Sequence, residues 1–278
     1  MHLPLLATFL SGAAHATTPT ADDSWLNGAD RPVAARLNAE VGFLAPLTHK
    51  IQSGTDGTYF DYVADGGQDL LFPVVRLSAD ADIGRSTVVL LYQPIQINTA
   101  VTFYDDVVED GVTFPAGTAM DLQDGFSFWR GSYLYDLLPD PSRELAIGAG
   151  MQIRDADIRF TSADGELRVT NRDVGPVPLL KLRARTPLGK HLWGGVEVDG
   201  VYAPVKYLNG ADTDVVGALL DASVRGGVAL PHGTDLFLNV RYLTGGAEGT
   251  DKSPDGLGDG FTKNWLQFLT VSVGATIR

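Results

Sequence analysis

The chain has 278 residues, of which 34 are acidic and 21 basic, for a formal net charge of −13, with 44% hydrophobic residues and no cysteine. That charge leaves no basic stripe for phosphates and argues against nucleic acid as a partner, while the missing cysteines exclude disulfides, thiol nucleophiles and thiolate metal sites. No stretch approaches the roughly eighteen consecutive apolar residues of a membrane helix, so if the chain crosses a bilayer it must do so as a closed barrel.

Taken in order, residues 1–16 read as an export signal: an apolar run over 3–10, then the small-x-small sequence Ala14-His15-Ala16. A flexible lead-in over 17–34 follows, and the barrel occupies 35–278. The first strand covers 36–46, with Leu37, Ala39, Val41, Phe43 and Ala45 on one face and Asn38, Glu40 and Gly42 on the other. A polar loop over 48–69, rich in Gly and Asp, separates it from the second strand at 71–81. The third strand, 87–103, contains Pro94, which cannot donate a ladder bond and predicts a bulge.

An acidic segment over 104–123 leads to an aromatic fourth strand, 126–137, where Trp129, Tyr133 and Tyr135 share one parity and Arg130, Ser132 and Asp136 the other. Further strands follow at 144–160, 166–185, 192–207, 216–230 and 236–243. A Gly/Asp-rich loop over 245–260 precedes the last strand, 265–278, in which Leu269, Val271, Val273, Ala275 and Ile277 alternate with Thr270, Ser272, Gly274 and Thr276. Long and short connections alternate along this series.

Strands apolar on one face and small or polar on the other, short turns opposite long acidic loops, and the signal ending Ala14-His15-Ala16 resemble the Gram-negative outer-membrane β-barrel class. The resemblance implies an all-β fold: a transmembrane antiparallel up-and-down barrel of about ten strands, with eight to twelve within range. It also implies a bacterial outer-membrane location, contact with outer-membrane lipid and lipopolysaccharide, and insertion by the outer-membrane barrel assembly machinery. Such barrels usually end in an aromatic residue, and this chain ends Ile277-Arg278.

Strand parity places Arg76, Arg130, Arg154, Lys181, Arg183, Arg185, Arg225 and Arg241 inside, with Glu40, Asp80, Asp136, Glu197, Asp199 and Asp221. Lys181, Arg183 and Arg185 alternate on one strand and Glu197 and Asp199 on the next, so the two rows are set to face each other. Two readings of this lumen charge network stand side by side: a packed polar core that holds the barrel shut, or a charged, porin-like constriction that selects small solutes.

For chemistry, His49 is the one histidine near the outer rim, close to Ser53 and Asp61, and these three are the candidates for a barrel enzyme that modifies lipid A or phospholipid. Omptin-like proteases also have ten strands, but Asp212-Thr213-Asp214 has no adjacent histidine to form their Asp/His couple. Asp251, Asp255 and Asp259 compose a loose calcium loop without EF-hand spacing, and acidic loops of this kind suit divalent cations at the cell surface. No phosphate loop or cofactor motif occurs. The expectation is a non-enzymatic outer-membrane barrel, a small pore or a structural and surface-interaction protein, with the lipid-modifying enzyme as the alternative.

Overall fold

The computed structural model describes residues 33–206, 212–252 and 259–278. The signal over 1–16, nearly all of the lead-in and Asp255 lie outside the described residues. The strands in chain order are β1 (Ala34–Ser53), β2 (Phe60–Asp61), β3 (Phe72–Ile83), β4 (Ser86–Gln93), β5 (Gln96–Thr102), β6 (Val107–Glu109), β7 (Val112–Phe114), β8 (Ala119–Asp136), β9 (Glu144–Ser162), β10 (Arg168–Pro187), β11 (Leu192–Pro204), β12 (Val216–Leu230), β13 (Thr234–Thr250) and β14 (Phe261–Ile277).

Each long strand pairs antiparallel with its neighbours in sequence, and β14 pairs back onto β1 along sixteen residue pairs from Leu37↔Ile277 to Ser53↔Thr262. With β4 and β5 counted as one interrupted stave and the two-residue β2 set aside, this is a closed ten-strand barrel. Closure removes the edges that an open sheet exposes to lipid. The turns at 84–85, 137–143, 188–191 and 231–233 lie at the end that holds Ala34 and Ile277, and the longer connections lie at the other, together with the five-residue turn 163–167. Gly84, at φ +59 in the first position of its two-residue turn, takes the left-handed conformation that a type II′ hairpin requires.

The alternation is turned inside out relative to a soluble sheet. On β14, Val271 and Val273 are each 53% exposed, whereas Thr270, Ser272 and Thr276 are buried. The apolar outer face runs from Leu269 to Ile277 on β14 and from Leu145 to Ile153 on β9 before polar residues take over. Nine tilted residues span about 25 Å, the height of a lipid-facing band. Trp129, stacked on Tyr92 at 4.4 Å, and Tyr133 and Tyr135 lie on this outer surface.

Several strands outrun their apolar alternation. β1 continues through Ser53, β8 starts at Ala119, β13 reaches Thr250 and β14 begins at Phe261, so segments expected as loops are wall. Above the lipid band the outer face turns polar, as at Lys50, Gln52 and Lys263, while apolar residues such as Ile51, Met120 and Phe160 move to the inner face, so the apolar-out alternation is lost. The period-two signal fades there while the backbone ladder persists.

Pro94 interrupts its stave without inserting a residue. Gln93↔Phe128 and Gln96↔Gly125 keep one register across the break, so the expected bulge is absent. The bulge in the wall falls in β1, between Pro46 and Thr48, where Leu47 is the extra residue. Below it Glu40 and Leu44 point inward; above it the parity is reversed and His49 and Ile51 point inward. One inserted residue exchanges every side chain's face.

Candidate functional site

The interior is filled in three tiers. Nearest the termini lies a charge network. Arg36 bonds Asp82 at 2.8 Å and Asp80 at 3.3 Å, Arg183 bridges Glu144 at 2.6 Å and Asp80 at 3.1 Å, and Arg185 and Arg278 each hold the fully buried Asp235 at 2.6 Å. Arg185 also lies 3.8 Å over the Trp193 ring. Higher up, Lys181 bonds Glu197 at 2.7 Å and Asp199 at 3.0 Å. Arg130, 1% exposed, donates to Asp199, Asp221 and Gln152.

Arg241 chelates Asp221, and Arg76 lies among Gln93, Glu197 and Asp221. Arg225 reaches Glu40 at 3.2 Å, and Glu40 also accepts from Asn239 and Ser272. Nine cations (Arg36, Arg76, Arg130, Lys181, Arg183, Arg185, Arg225, Arg241, Arg278) thus meet eight anions (Glu40, Asp80, Asp82, Glu144, Glu197, Asp199, Asp221, Asp235). Near balance is what a poorly hydrated interior demands, because unpaired buried charge is prohibitively costly. A cavity of about 70 Å³ remains among these groups, lined by Arg76, Arg130, Lys181, Glu197 and Arg225 among others, with room for a few waters.

Above the charges sits an apolar belt of Leu44, Val74, Leu91, Ile95, Ile97, Phe126, Phe128, Leu243 and Phe268, with Phe126 stacked flat on Phe268. At the loop end, β2 and the β6–β7 hairpin fold down into the mouth. Phe60, Tyr62, Phe103, Val107 and Phe114 pack there against Met120, Leu122, Ile158, Phe160 and Val169 of the wall.

His49 lies between belt and plug with no exposed surface. Its Nε2 meets Asp124, its Nδ1 lies 3.2 Å from Gln68 Oε1, and the Tyr62 ring stacks on it at 4.1 Å. The hairpin is latched by Glu109, fully buried, which accepts from Ser53 Oγ at 2.6 Å and Asn171 at 3.4 Å. Its second oxygen has no hydrogen-bond partner among the described residues. Burial, with Asp110 adding to it against the Ser53 and Asn171 bonds, pushes the Glu109 carboxyl up to about 7.

The three catalytic candidates do not converge. His49 spends both ring nitrogens on Asp124 and Gln68, Ser53 bonds Glu109, and Asp61 pairs with Lys50 at 3.0 Å. Burial raises the Asp61 carboxyl, but the Ala64 and Val63 amides and Lys50 outweigh it and hold the group below its ordinary value. His49 is thus not at an open rim, because the β1 bulge turns it into the closed interior.

Two members of the expected lumen network stand outside it. Asp136 accepts from the amides of Leu138 and Leu145 and ties the adjoining turn, and Arg154 pairs with the exposed Asp173. Arg183 and Arg185 do not pair with the acids of the next strand. Although Arg183 lies opposite Glu197 in register, its guanidinium reaches Glu144 and Asp80, and only Lys181 engages both Glu197 and Asp199. A long guanidinium in a narrow lumen reaches across it as readily as along the ladder.

Asp259 spends its carboxylate on the backbone and hydroxyl of Thr55 and on the Phe261 amide. Those bonds, led by the Thr55 hydroxyl, hold it below its ordinary value. Asp251 bridges to Thr213 through the backbone, and no three acidic or histidine side chains gather as a metal would require among the described residues.

Arg36, Asp82, Glu144, Asp235 and Arg278 were absent from the residues expected inside. Arg36 and Asp82 share parity with Glu40 and Asp80, so the pattern could have supplied them. The pairing of His49 with Asp124, and of Glu109 with Ser53, left no sequence signal, because a loop hairpin and an unannounced bulge create both.

No protein-family model matches the chain, and no curated protein matches it. Among solved structures, the outer membrane protease OmpT from Escherichia coli aligns at a TM-score of 0.48 and 11% identity, covering 87% of this chain and 95% of that one. The toluene transporter TodX of P. putida aligns at 0.32 and 10%, covering 93% and 92%, and a Pseudomonas aeruginosa FadL homologue at 0.37 and 8%, covering 88% and 90%. At this degree of likeness nothing about activity is argued from them. The chain itself is a transmembrane antiparallel up-and-down β-barrel of ten strands.

Proposed function

We propose that this protein is a non-enzymatic barrel of the bacterial outer membrane, shut along its lumen at rest, acting as a structural or surface-interaction protein and not as an open diffusion pore. The observation that carries this reading is the continuous filling of the interior by charge network, apolar belt and plug. The apolar outer band and the export signal support the location, which in turn brings contact with outer-membrane lipid and lipopolysaccharide and passage through the barrel assembly machinery. The enzyme alternative finds no support in a histidine whose two nitrogens are engaged beneath a closed plug.

Purified barrels in planar bilayers test the reading. No steady conductance is expected, together with recovery in the outer-membrane fraction and altered gel mobility when unheated. Large, stable single-channel currents would overturn the closed state, and recovery as a detergent-free soluble monomer would overturn the membrane location.

A further inference from the structure

The ladder between β10 and β11 runs from Pro187↔Trp193 only to Leu180↔Gly200. Beyond that point residues 168–179 of β10 pair with β9 alone, and β11 continues to Pro204 paired with β12 alone. Extending the register would set Val201 against Leu179, Tyr202 against Pro178 and Pro204 against Pro176. Three prolines in these facing stretches lack an amide hydrogen, so carbonyls outnumber donors and the strands have little to zip with.

The opening lies in the lipid band. Pro178 and Pro176 pair on their other side with Met151 and Ile153, the last outward apolar residues of β9 before Asp155. Leu180 and Tyr202, 75% and 77% exposed, form its outer lips. Behind it, Gly175, Val177, Val201 and Leu219 face inward by alternation yet remain only half-buried, and a Cβ added at Gly175 would meet nothing within 4 Å. The Arg154–Asp173 pair, also on the inward parity, closes the upper end with side chains 36% and 70% exposed. The Lys181–Asp199 pair forms the floor.

Resting on the membrane-barrel reading above, we infer that this slot between β10 and β11 binds one acyl chain of an outer-leaflet lipid whose head end donates hydrogen bonds through a hydroxyl or amide. The depth supplies the acyl chain, because hydrocarbon is the neighbour at that level. The surplus of carbonyls selects a donor, since an unsatisfied backbone acceptor in the bilayer is costly. A strand edge from a second copy fits poorly, because the missing amides make this edge a poor template.

The absence of cysteine permits a direct test. Bimane is attached to Val177→Cys behind the slot, to Val240→Cys on the lipid-facing wall and to Ser78→Cys on the inner face of β3, in nanodiscs doped with a spin-labelled N-acyl amide or the methyl ester of the same chain. Quenching by the amide at position 177 should approach that at 240 and exceed that at 78 at least threefold, with the ester several-fold weaker. Replacing Pro176, Pro178 and Pro204 by valine restores the missing donors and should cut quenching at 177 at least threefold while leaving 240 unchanged.

Quenching at 177 no stronger than at 78 would overturn the slot. Equal quenching by ester and amide would overturn the donor requirement, and quenching that survives the valine replacements would overturn the role of the prolines. An unquenched label at 240 would instead overturn the membrane reading on which the inference rests.

Discussion

Glu109 couples the plug to pH. Its carboxyl is raised from 4.5 to about 7 where it is buried under the hairpin, with Ser53, Asn171 and Asp110 beside it and the buried Tyr62 phenol close enough to feel its charge. Lifting the hairpin returns Glu109 to water, so the closed form binds the proton more tightly than the open one. Its contribution is fully present below pH 4.5, falls as pH rises through about 7 and is lost above that, a change of about 3 kcal/mol. Protection of the β6 and β7 amides, corrected for the intrinsic rise of exchange with pH, should therefore fall between pH 4.5 and about 7, and Glu109→Gln should flatten the dependence; an unaltered protection profile in the variant would remove Glu109 as the cause. Arg130 makes a second test at this scale. It serves Asp199 and Asp221 at once, so Arg130→Met leaves two buried carboxylates short of a partner and should cost about 3 to 5 kcal/mol. The check is the urea midpoint of the unheated gel form, and an unchanged midpoint would contradict the network's role in holding the wall.

At the scale of elements, the β6–β7 hairpin is a piece of loop that behaves as core. Phe114 has no exposed surface and packs on Phe103 and Phe160, so Phe114→Ala should loosen the plug by about 3 to 5 kcal/mol. Limited proteolysis within 103–118 reads this, and cleavage no faster than in the parent chain would show that the hairpin does not depend on that contact. The wall was legible in the sequence because a membrane barrel repeats one simple pattern, apolar out and polar in, over nine residues per strand. The inward positions of Glu40, Arg76, Arg130, Lys181 and Asp221 follow from parity alone. The plug was not legible, because short strands such as Phe60–Asp61 and Val107–Glu109 carry too few residues for a period to emerge. The position of His49 was hidden for a different reason. Leu47 reverses the parity halfway along β1, and Pro94, the residue that advertises a bulge, causes none.

For the whole molecule, the order of the tiers decides what a single change can achieve. Arg183→Ala with Arg185→Ala strips partners from Glu144, Asp80 and Asp235 near the termini, but the belt and plug above remain. This variant should unfold more readily yet still pass no steady current in planar bilayers. Current should appear only when the hairpin is shortened and the belt is opened as well, as by Phe126→Ala with Phe268→Ala, and conduction by the double arginine variant alone would mean that the belt and plug do not bar the lumen. That arrangement makes leakage a matter of coincidence. Barriers in series are breached together with the product of their separate odds, so two independent openings of about 3 kcal/mol each leave the passage clear roughly one part in ten thousand of the time or less. A single lesion raises one factor and leaves the others standing, so solutes on either side of such a barrel would cross it in rare, brief bursts instead of a steady drain.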